Sequence, residues 1–484
     1  MGVQWRDWSR AAFLQAKRGN KPILLHITGT WCVLGHEMEQ RTYNDPVVAN
    51  LINKHVVAIK VDTDKRPDIN QRYNQGGWPS TVLLDHDGSV LDGGLFIPPE
   101  MMAKRVQVAV DKVKGGSRKP LETLAFTGMR LGHGELAPAT VDKIASLLRT
   151  SFDSTYGGFG SEPKFPHPDA LEFCLRLHAR TCGLQTTKQK PVMRSPYLSM
   201  VEKSITGMKR GLLDTRGGWF RYSISRDWRE PHREKLLDTN AALLRMLSLT
   251  YQQTKKKQHL DLARKTATYL LRNLADPDGG LYAGQITAQQ KKAQVDTRIF
   301  VDKNGHALVA FLDYFTASKD RRARRAVLQA FERLETAYNK KRGFAHYIEG
   351  KRVVHLGWLP DSVAMGRAYV ALYQALERGA ALRKAQEIAE IVETNFLERG
   401  GGFLDRIGQK DDVGKLEQQQ TVFSLNVQAA QFYLDLFDAT GDAPDHALAK
   451  LALESVKGVY RIQGVLGAGF GIAVDRLVNK AVSW

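Results

Sequence analysis

Three side chains that can exchange protons follow one another closely in the middle of the chain. His232 and Glu234 are two residues apart, and Asp238 follows Glu234 by four residues, about one helical turn. A further histidine, His306, lies near the start of a later helical stretch, one repeat further along the chain. An imidazole and carboxylates within reach of one substrate can act as general base and general acid. We therefore predict four catalytic residues: His232, Glu234, Asp238 and His306.

Polar and aromatic residues around these four are candidates for holding a ligand. Arg221, Tyr222 and Lys235 can contact hydroxyls or an anionic group. For each of these residues taken singly, a structural role, such as a helix cap or a hydrogen bond between repeats, is the stronger interpretation. For the set as a whole, the stronger interpretation is that the side chains line one pocket. The predicted substrate-binding set is His167, Arg221, Tyr222, Lys235, Asn240, Asn304 and Trp358.

A cysteine near the N-terminus occupies a position suited to thiol chemistry. Cys32 precedes a predicted helix whose N–H groups would favour its thiolate, and His36, if charged, would favour it further. Gly35 stands where a second cysteine would be needed, so a dithiol–disulfide cycle within this motif is excluded. Cys32 either forms mixed disulfides with partner thiols, or the region has lost its redox role and serves as a docking or cavity-covering module. Cys32 and His36 alone do not complete a metal site, and we expect no metal.

The first 115 residues alternate between helical and strand patterns. A strand delivers Trp31-Cys32 to a helix, and Trp78-Pro79 immediately precedes a later strand. This order is typical of a thioredoxin-like domain, in which the X-Pro bond is cis and faces the cysteine. The redox candidates are therefore Cys32, His36 and Pro79. The predicted elements are helices at Ser9–Arg18, Cys32–Glu39, Pro46–Asn53 and Pro99–Lys112, and strands at Pro22–Ile27, Val56–Val61, Ser80–Leu84 and Ser89–Leu91.

A repeat organises the rest of the chain. A glycine precedes a bulky apolar residue six times, at intervals of 60, 62, 63, 59 and 67 residues. The glycines are Gly158, Gly218, Gly280, Gly343, Gly402 and Gly469. A fixed period with helical patterns between the glycines indicates one helical hairpin repeated six times. We predict a closed (α/α)6 toroid, with all six loops at one end and a central cavity for a small molecule.

Composition narrows the classes of function. Lysine and arginine total 70 against 51 aspartate and glutamate, a net charge of +19, but the basic residues are spread along the chain, so nucleic-acid binding is not favoured. The three cysteines form no CxxC pair, which favours a reducing compartment. No stretch is apolar enough to span a membrane or to form a signal-peptide core. We expect a cytoplasmic protein without a membrane contact.

The chain resembles a known family in several motifs. They are Cys32…His36-Glu37-Met38-Glu39, Gln75-Gly76-Gly77-Trp78-Pro79, Lys164-Phe165-Pro166-His167-Pro168, Arg221-Tyr222-Ser223 and Asn304-Gly305. Together they are similar to the thioredoxin-domain proteins related to spermatogenesis-associated protein 20. The resemblance implies a thioredoxin-like domain followed by a toroid like those of N-acylglucosamine 2-epimerases and six-hairpin glycosidases.

Departures from the family pattern qualify what the resemblance implies. Family members usually carry Cys-x-x-Cys, and here the second position is Gly35. In the run that begins at His232, the family's aromatic-acid pair is replaced, while the His, Glu, Lys and Asn positions are kept. A tryptophan expected before Asn304 is Lys303.

We predict an α/β thioredoxin-like domain at 1–115, a linker at 116–137 and an all-α toroid at 138–484. The resemblance implies a carbohydrate-active or sugar-binding protein that acts by epimerisation, isomerisation or glycoside cleavage on a sugar-like ligand without a cofactor. The alternatives are a redox-linked adaptor that captures protein thiols through Cys32, and a non-catalytic scaffold.

Overall fold

The computed structural model of the protein describes residues 2–116, 134–183, 195–286 and 293–479. These residues fall into two compact units. The first contains those within 1–127 and 406–420, and the second contains those within 128–405 and 421–484.

The first unit is built on a four-stranded sheet in the order β2-β1-β3-β4. β1 pairs in parallel with β2, so that Ile23 lies beside Val57, and β3 is antiparallel to both β1 and β4. Every residue of β1 is buried, as expected for a central strand covered on both faces. The strands are β1 (Ile23–Thr28), β2 (Val57–Asp62), β3 (Ser80–Leu84) and β4 (Val90–Gly94). This is the predicted thioredoxin-like arrangement.

Local sequence sets where the helices of this unit begin. Ser9 Oγ accepts a hydrogen bond from Ala12 N–H at 3.3 Å ahead of the first helix. Asp45 caps the third helix, whose first residue is Pro46. The helices are α1 (Arg10–Gly19), α2 (Val33–Met38), α3 (Pro46–His55), α4 (Pro67–Tyr73) and α5 (Pro99–Lys114), and α2 continues as a π-helix over Glu39–Tyr43. The sequence patterns predict no helix between Val61 and Ser80, where α4 lies.

A segment from the C-terminal half of the chain completes the core of the first unit. Within 406–420, Val413 and Leu416 are buried in the same cluster as Phe13 and Tyr73. The Tyr73 hydroxyl accepts from Lys415 N–H at 2.9 Å and donates to the Gly88 carbonyl at 3.1 Å. The predicted bounds placed this whole segment in the toroid. It lies with the first unit because its apolar side chains are buried there.

The second unit consists of paired helices. They are α6 (Pro138–Ser151), α7 (Pro168–Gly183), α8 (Pro196–Gly211), α9 (Leu237–Thr254), α10 (Lys257–Asn273), α11 (Val301–Ser318), α12 (Arg321–Glu335), α13 (Leu359–Leu376), α14 (Gly379–Phe396), α15 (Phe423–Thr440), α16 (Ala443–Val456) and α17 (Ala468–Val478). Short 3-10 helices cover Tyr460–Ile462 and Gly464–Gly467 in this unit, and Gly414–Glu417 in the first unit.

Six of these helices form a closed ring. Each odd-numbered helix from α7 to α17 contacts the next odd-numbered helix, and α17 contacts α7. The even-numbered helices pack outside, α8 against α7, α10 against α9 and so on, with α6 against α17. We call α7, α9, α11, α13, α15 and α17 the inner helices. The predicted (α/α)6 toroid is thus confirmed.

Short strands lie in the connections between the helices. They are β5 (Tyr222–Ser223), β6 (Pro231–His232), β7 (Lys235–Leu236), β8 (Gly284–Ile286), β9 (Gln294–Asp296), β10 (Ile299–Phe300), β11 (Tyr338–Asn339), β12 (Gly343–Glu349) and β13 (Arg352–Leu356). β5 pairs with β6, β7 with β8, β8 with β9, and β12 with β10, β11 and β13, all antiparallel.

Five of the six repeated glycines occupy equivalent loops. Gly158, Gly218, Gly280, Gly343 and Gly402 have φ of 81°, 76°, 89°, 80° and 86°, and each follows an outer helix and precedes an inner one. This backbone region favours glycine, and the equivalent positions put these loops at one end of the ring. The sixth, Gly469, lies inside α17, so the last repeat departs from the pattern.

Among the described residues, no helix is long and apolar enough to cross a lipid bilayer.

Candidate functional site

The loop that leads into α9 holds Glu234 in a buried ion-pair group. The Glu234 carboxylate hydrogen-bonds His232 Nδ1 and lies 3.4 Å from Arg221 Nη1. The pairing of β5 with β6 sets Tyr222 opposite His232, which brings these side chains together. Glu234 is only 2% exposed, so its carboxylate is hydrogen-bonded by its two protein partners rather than by water.

Aromatic rings surround this group. Tyr222 stacks on His232 with centroids 4.9 Å apart and on Phe165 with centroids 4.7 Å apart. His167, from the first repeat, lies beside Phe165, with the two ring centroids 6.3 Å apart. Burial lowers the pKa of His167 to about 4, so its imidazole is neutral at pH 7. The predicted residues His167, Arg221, Tyr222, His232 and Glu234 thus form one cluster, built from the loops of the first two repeats.

A set of carboxylates marks the start of the inner helices. Asp169, Asp238 and Asp302 are the second residues of α7, α9 and α11, and Asp361 is the third residue of α13. The inner helices run in the same direction, because each is joined to the next through one outer helix packed beside it. These carboxylates therefore lie at one end of the ring, where the helix dipoles favour negative charge.

His306 lies one turn below Asp302 on α11 and is half-buried. Burial lowers its pKa; the charges of Asp302 and Asp238 oppose this effect, and those of Arg367 and Arg245 reinforce it. His306 therefore interacts with groups from α9 and α13 as well as from its own helix. Of the four predicted catalytic residues, His306 and Asp238 form one group, and His232 and Glu234 form the other.

Ion pairs connect the inner helices deeper in the ring. Arg245 of α9 pairs with Glu172 of α7 and, at 2.9 Å, with Asp313 of α11. On the other side of the ring, Arg367 of α13 and Arg476 of α17 both pair with Asp435 of α15, at 2.8 and 2.7 Å. The side chains of Arg245 and Asp313 are 26% and 29% exposed to solvent, although both residues lie on inner helices. They therefore line a channel that water reaches.

Sequence reasoning did not identify these channel residues. Their signal is a charged residue on the middle turns of an otherwise apolar helix, as at Arg245 and Arg367. Such a charge is costly in a core and acceptable beside water. A charged residue in the middle of an apolar helix therefore indicates a channel residue only when that helix is known to be an inner helix.

A buried cluster at the start of α13 has the composition of a metal site. His346 Nδ1 hydrogen-bonds both carboxylate oxygens of Asp361, at 2.9 and 3.2 Å. Burial raises the pKa of Asp361 to about 7, opposed by the charge of His346. One potential ligand atom each from Asp302, His346 and Asp361 lies within 4.8 Å of the others. An imidazole and two carboxylates can hold a divalent ion, so these three residues are the metal candidates in the described part of the chain.

Two predicted ligand-binding asparagines have a structural role instead. Asn240 accepts from Trp219 N–H at 2.7 Å and donates to the carbonyls of Trp219 and Leu236, at 3.0 and 2.9 Å. Asn304 makes the same bonds to the backbone of the next loop, through Leu281 and Phe300. Both side chains are buried, and these hydrogen bonds hold the loops of Gly218 and Gly280 against the inner helices that follow them. We therefore assign both residues to loop stability.

Two further predicted ligand contacts are also enclosed by protein. Lys235 Nζ binds the Asp214 carboxylate and, at 3.0 Å, the Gly217 carbonyl, beneath the second glycine loop. Trp358 is buried between His346 and His355, whose ring centroids lie 4.4 and 5.4 Å from its own. Its faces are therefore covered by protein rings, and a sugar would have to stack elsewhere.

The cysteine motif of the first unit has the expected placement but a buried thiol. Cys32 caps α2, and its Sγ accepts from Gly35 N–H at 3.3 Å; the residue is 4% exposed. His36 Nε2 hydrogen-bonds the Thr30 carbonyl at 2.9 Å. The Trp78–Pro79 bond is cis, and the Trp78 ring contacts that of Trp31 at 5.4 Å.

Comparisons with known proteins agree with this architecture. A family model described as "Protein of unknown function, DUF255" matches residues 1–114. Human spermatogenesis-associated protein 20 is 29% identical over 309 residues, which cover 58% of this chain and 38% of that protein. An uncharacterized Caenorhabditis elegans protein is 29% identical over 306 residues, covering 58% and 41%. The chain is thus similar to the predicted family, and its matched part spans about two fifths of these curated relatives.

Solved structures that resemble the chain are toroids of sugar enzymes. A sugar epimerase from a ruminal bacterium matches with a TM-score of 0.51 at 13% identity, covering 66% of this chain and 86% of that one. Cellobiose 2-epimerase of Bacillus thermoamylovorans gives 0.51 at 12%, covering 66% and 87%. A GH76 α-mannanase of Bacteroides thetaiotaomicron gives 0.52 at 12%, covering 70% and 95%. At these identities the comparison establishes the fold and leaves the activity to the site.

Proposed function

We propose that the toroid binds a small sugar-like molecule at the inner-helix end that carries the aspartates, and that His306 transfers a proton to or from it. The observation that carries this proposal is the placement of His306, half-buried on α11 and interacting with Asp238, Asp302, Arg245 and Arg367. Apart from Asp302, these charged groups come from other inner helices, so they surround a common space.

The protonation states suit acid–base chemistry. A histidine whose pKa is lowered is neutral at pH 7 and can accept a proton. Asp238 is exposed at the first turn of α9 and can hydrogen-bond hydroxyls of the ligand. Arg245 and Arg367 lie close enough to His306 to lower its pKa, and carboxylates on neighbouring inner helices pair with both guanidinium groups.

The cluster at the first two loops fits a supporting role at the same end of the ring. Glu234 is paired with His232 and Arg221, so it positions these side chains rather than acting as the base. Arg221 and His232, with side chains 18% exposed, are the members of this ion-pair group that can reach a ligand.

Sugar epimerisation and aldose–ketose isomerisation share one detectable step, the loss of the proton next to a carbonyl. We therefore propose incubating the full chain with a panel of aldoses, ketoses and reducing disaccharides in D2O. Mass spectrometry then measures solvent deuterium on carbon. We expect incorporation for at least one sugar, and a rate reduced about 10²–10⁴-fold in His306→Asn.

A matched control uses a histidine away from the channel. His446 lies on the outer helix α16 and hydrogen-bonds the Leu477 carbonyl, so His446→Asn should leave the exchange rate unchanged. Equal rates in the two variants would exclude His306 as the base. If no sugar incorporates deuterium or raises the melting temperature of the protein, the scaffold alternative replaces the enzyme hypothesis.

The thiol-adaptor alternative has less support. A cysteine that captures partner thiols must be reached by another sulfur, and Cys32 is 4% exposed. We also propose a cytoplasmic location, which the three cysteines without a CxxC pair support.

A further inference from the structure

A second cavity lies on the outside of the toroid, between α10 and the loop that carries Gly217 and Gly218. Its volume is about 320 Å³. The charged residues that line it are Arg216, Asp261, Arg264, Lys265 and Arg272. They belong to an outer helix and a loop, so this cavity is separate from the channel that contains His306.

The sequence builds this cavity from two local features. Along α10, positions 261, 264, 265, 268 and 272 follow the i, i+3, i+4 spacing of one helix face, and all five line the cavity. The loop lies close against α10 because it contains glycine: a Cβ on Gly218 would come within 2.6 Å of the Tyr269 ring. Gly218 also has φ of 76°, which disfavours any other residue.

The charges in the cavity do not cancel. Asp261 is paired with Arg264 at 2.9 Å. Asp214, at the start of the loop, is paired with Lys235. Arg216, Lys265 and Arg272 form no ion pair with any residue that the structure describes. Three exposed positive charges therefore remain around one open, concave surface, and together they raise the local electrostatic potential in favour of an anion.

We propose that this cavity binds the phosphate group of a small phosphorylated molecule. Guanidinium groups match phosphate oxygens through paired hydrogen bonds, and the cavity offers two that have no carboxylate partner in the described part of the chain, together with one ammonium. A volume of about 320 Å³ lies in the range of small-molecule pockets, which favours a compact phosphate monoester over an extended polyanion. The site goes beyond the proposed proton-transfer function, since it uses none of the same residues.

Isothermal titration calorimetry on the full chain, in a phosphate-free buffer of constant ionic strength, tests the proposal. Three probes distinguish binding through the phosphate group from binding through a sugar: inorganic phosphate, glucose 6-phosphate and glucose. We expect both phosphates to bind and glucose to give no signal at this site. The variant Arg216→Gln/Lys265→Gln/Arg272→Gln should weaken binding by about tenfold or more, because each charge-assisted hydrogen bond contributes about that factor.

A control variant removes the same net charge elsewhere. Lys257→Gln/Arg324→Gln/Arg325→Gln changes three exposed residues of α10 and α12 outside the cavity, and it should keep the wild-type affinity within about twofold. Equal weakening in both variants would mean that net charge, and not the cavity, attracts the anion, and would overturn the proposal. So would the absence of a binding signal for both phosphates, or binding restricted to a long polyanion such as heparin.

Discussion

Replacing Gly414 with alanine should destabilise the first unit selectively. Gly414 lies in the 406–420 segment with φ of 61°, where an L-residue costs about 1 kcal/mol or more. A Cβ at this position would lie 2.8 Å from the Tyr73 hydroxyl and 3.2 Å from the Phe13 ring. Both contacts are closer than packed atoms normally allow.

The clash cannot be relieved cheaply. The Tyr73 hydroxyl is held by Lys415 N–H and the Gly88 carbonyl, and its ring is buried. On the other side, a Cβ built on Gly88 would lie 2.6 Å from the Gly414 Cα, so the two backbones already touch. Overpacking a rigid site costs about 1–3 kcal/mol, which together with the backbone term gives about 2–5 kcal/mol.

The matched control is Gly464→Ala. Gly464 has a similar φ of 55°, but nothing lies within 4 Å of a Cβ there, so this variant should lose only the backbone term of about 1–2 kcal/mol. The difference between the variants isolates the packing of the 406–420 segment.

Native-state hydrogen exchange with mass spectrometry measures the effect on each unit separately, which matters because two units need not unfold together. In Gly414→Ala, peptides from β3, β4 and 406–420 should exchange faster, and those from α9 and α11 should not. Equal protection in the two alanine variants, or faster exchange confined to the inner helices, would refute the role assigned to the segment.

Three further outcomes follow from particular residues. Asn240→Ala should lower the free energy of unfolding by about 2–4 kcal/mol in urea denaturation, because three buried backbone groups lose their partner; a loss below about 1 kcal/mol would contradict this. Burial, with the charge of Lys60, lowers the pKa of His26 to about 3, so the unfolded chain binds the extra proton between pH 6.5 and 3. Stability should fall as pH falls through that window, by at most about 1.4 kcal/mol per unit, and the slope should be smaller in His26→Gln. Finally, Gly35→Cys should show no disulfide reductase turnover with insulin, since a Cβ at Gly35 would overlap Thr28 Oγ1 and Cys32 is 4% exposed; turnover in this variant would show that Thr28 moves and that the thiols become accessible.

The sequence predicted many residues of the candidate site, but it did not show which of them contact one another and which bind only the loop backbone. The motifs at His167, Arg221 and His232 indicated residues that do meet, because each lies in a loop next to a repeated glycine and the repeats are adjacent. Asn240 and Asn304 belonged to the same motifs, and sequence alone could not separate a ligand contact from a loop contact. The distinction depends on which backbone groups lie within hydrogen-bonding distance.

Sequence alone determined the architecture, because the information for it is local. The alternation of helix and strand before residue 115 and the glycine period near 60 residues each depend on neighbours in the chain, and the structure has both. Only the tertiary structure decided that Leu416 completes a core with Phe13, that Arg245 and Arg367 line a channel, and that Arg216 shares a cavity with Arg272. Some of these residues are hundreds of positions apart, and the tertiary packing that brings each set together leaves no signal in the sequence that pairs one residue with another.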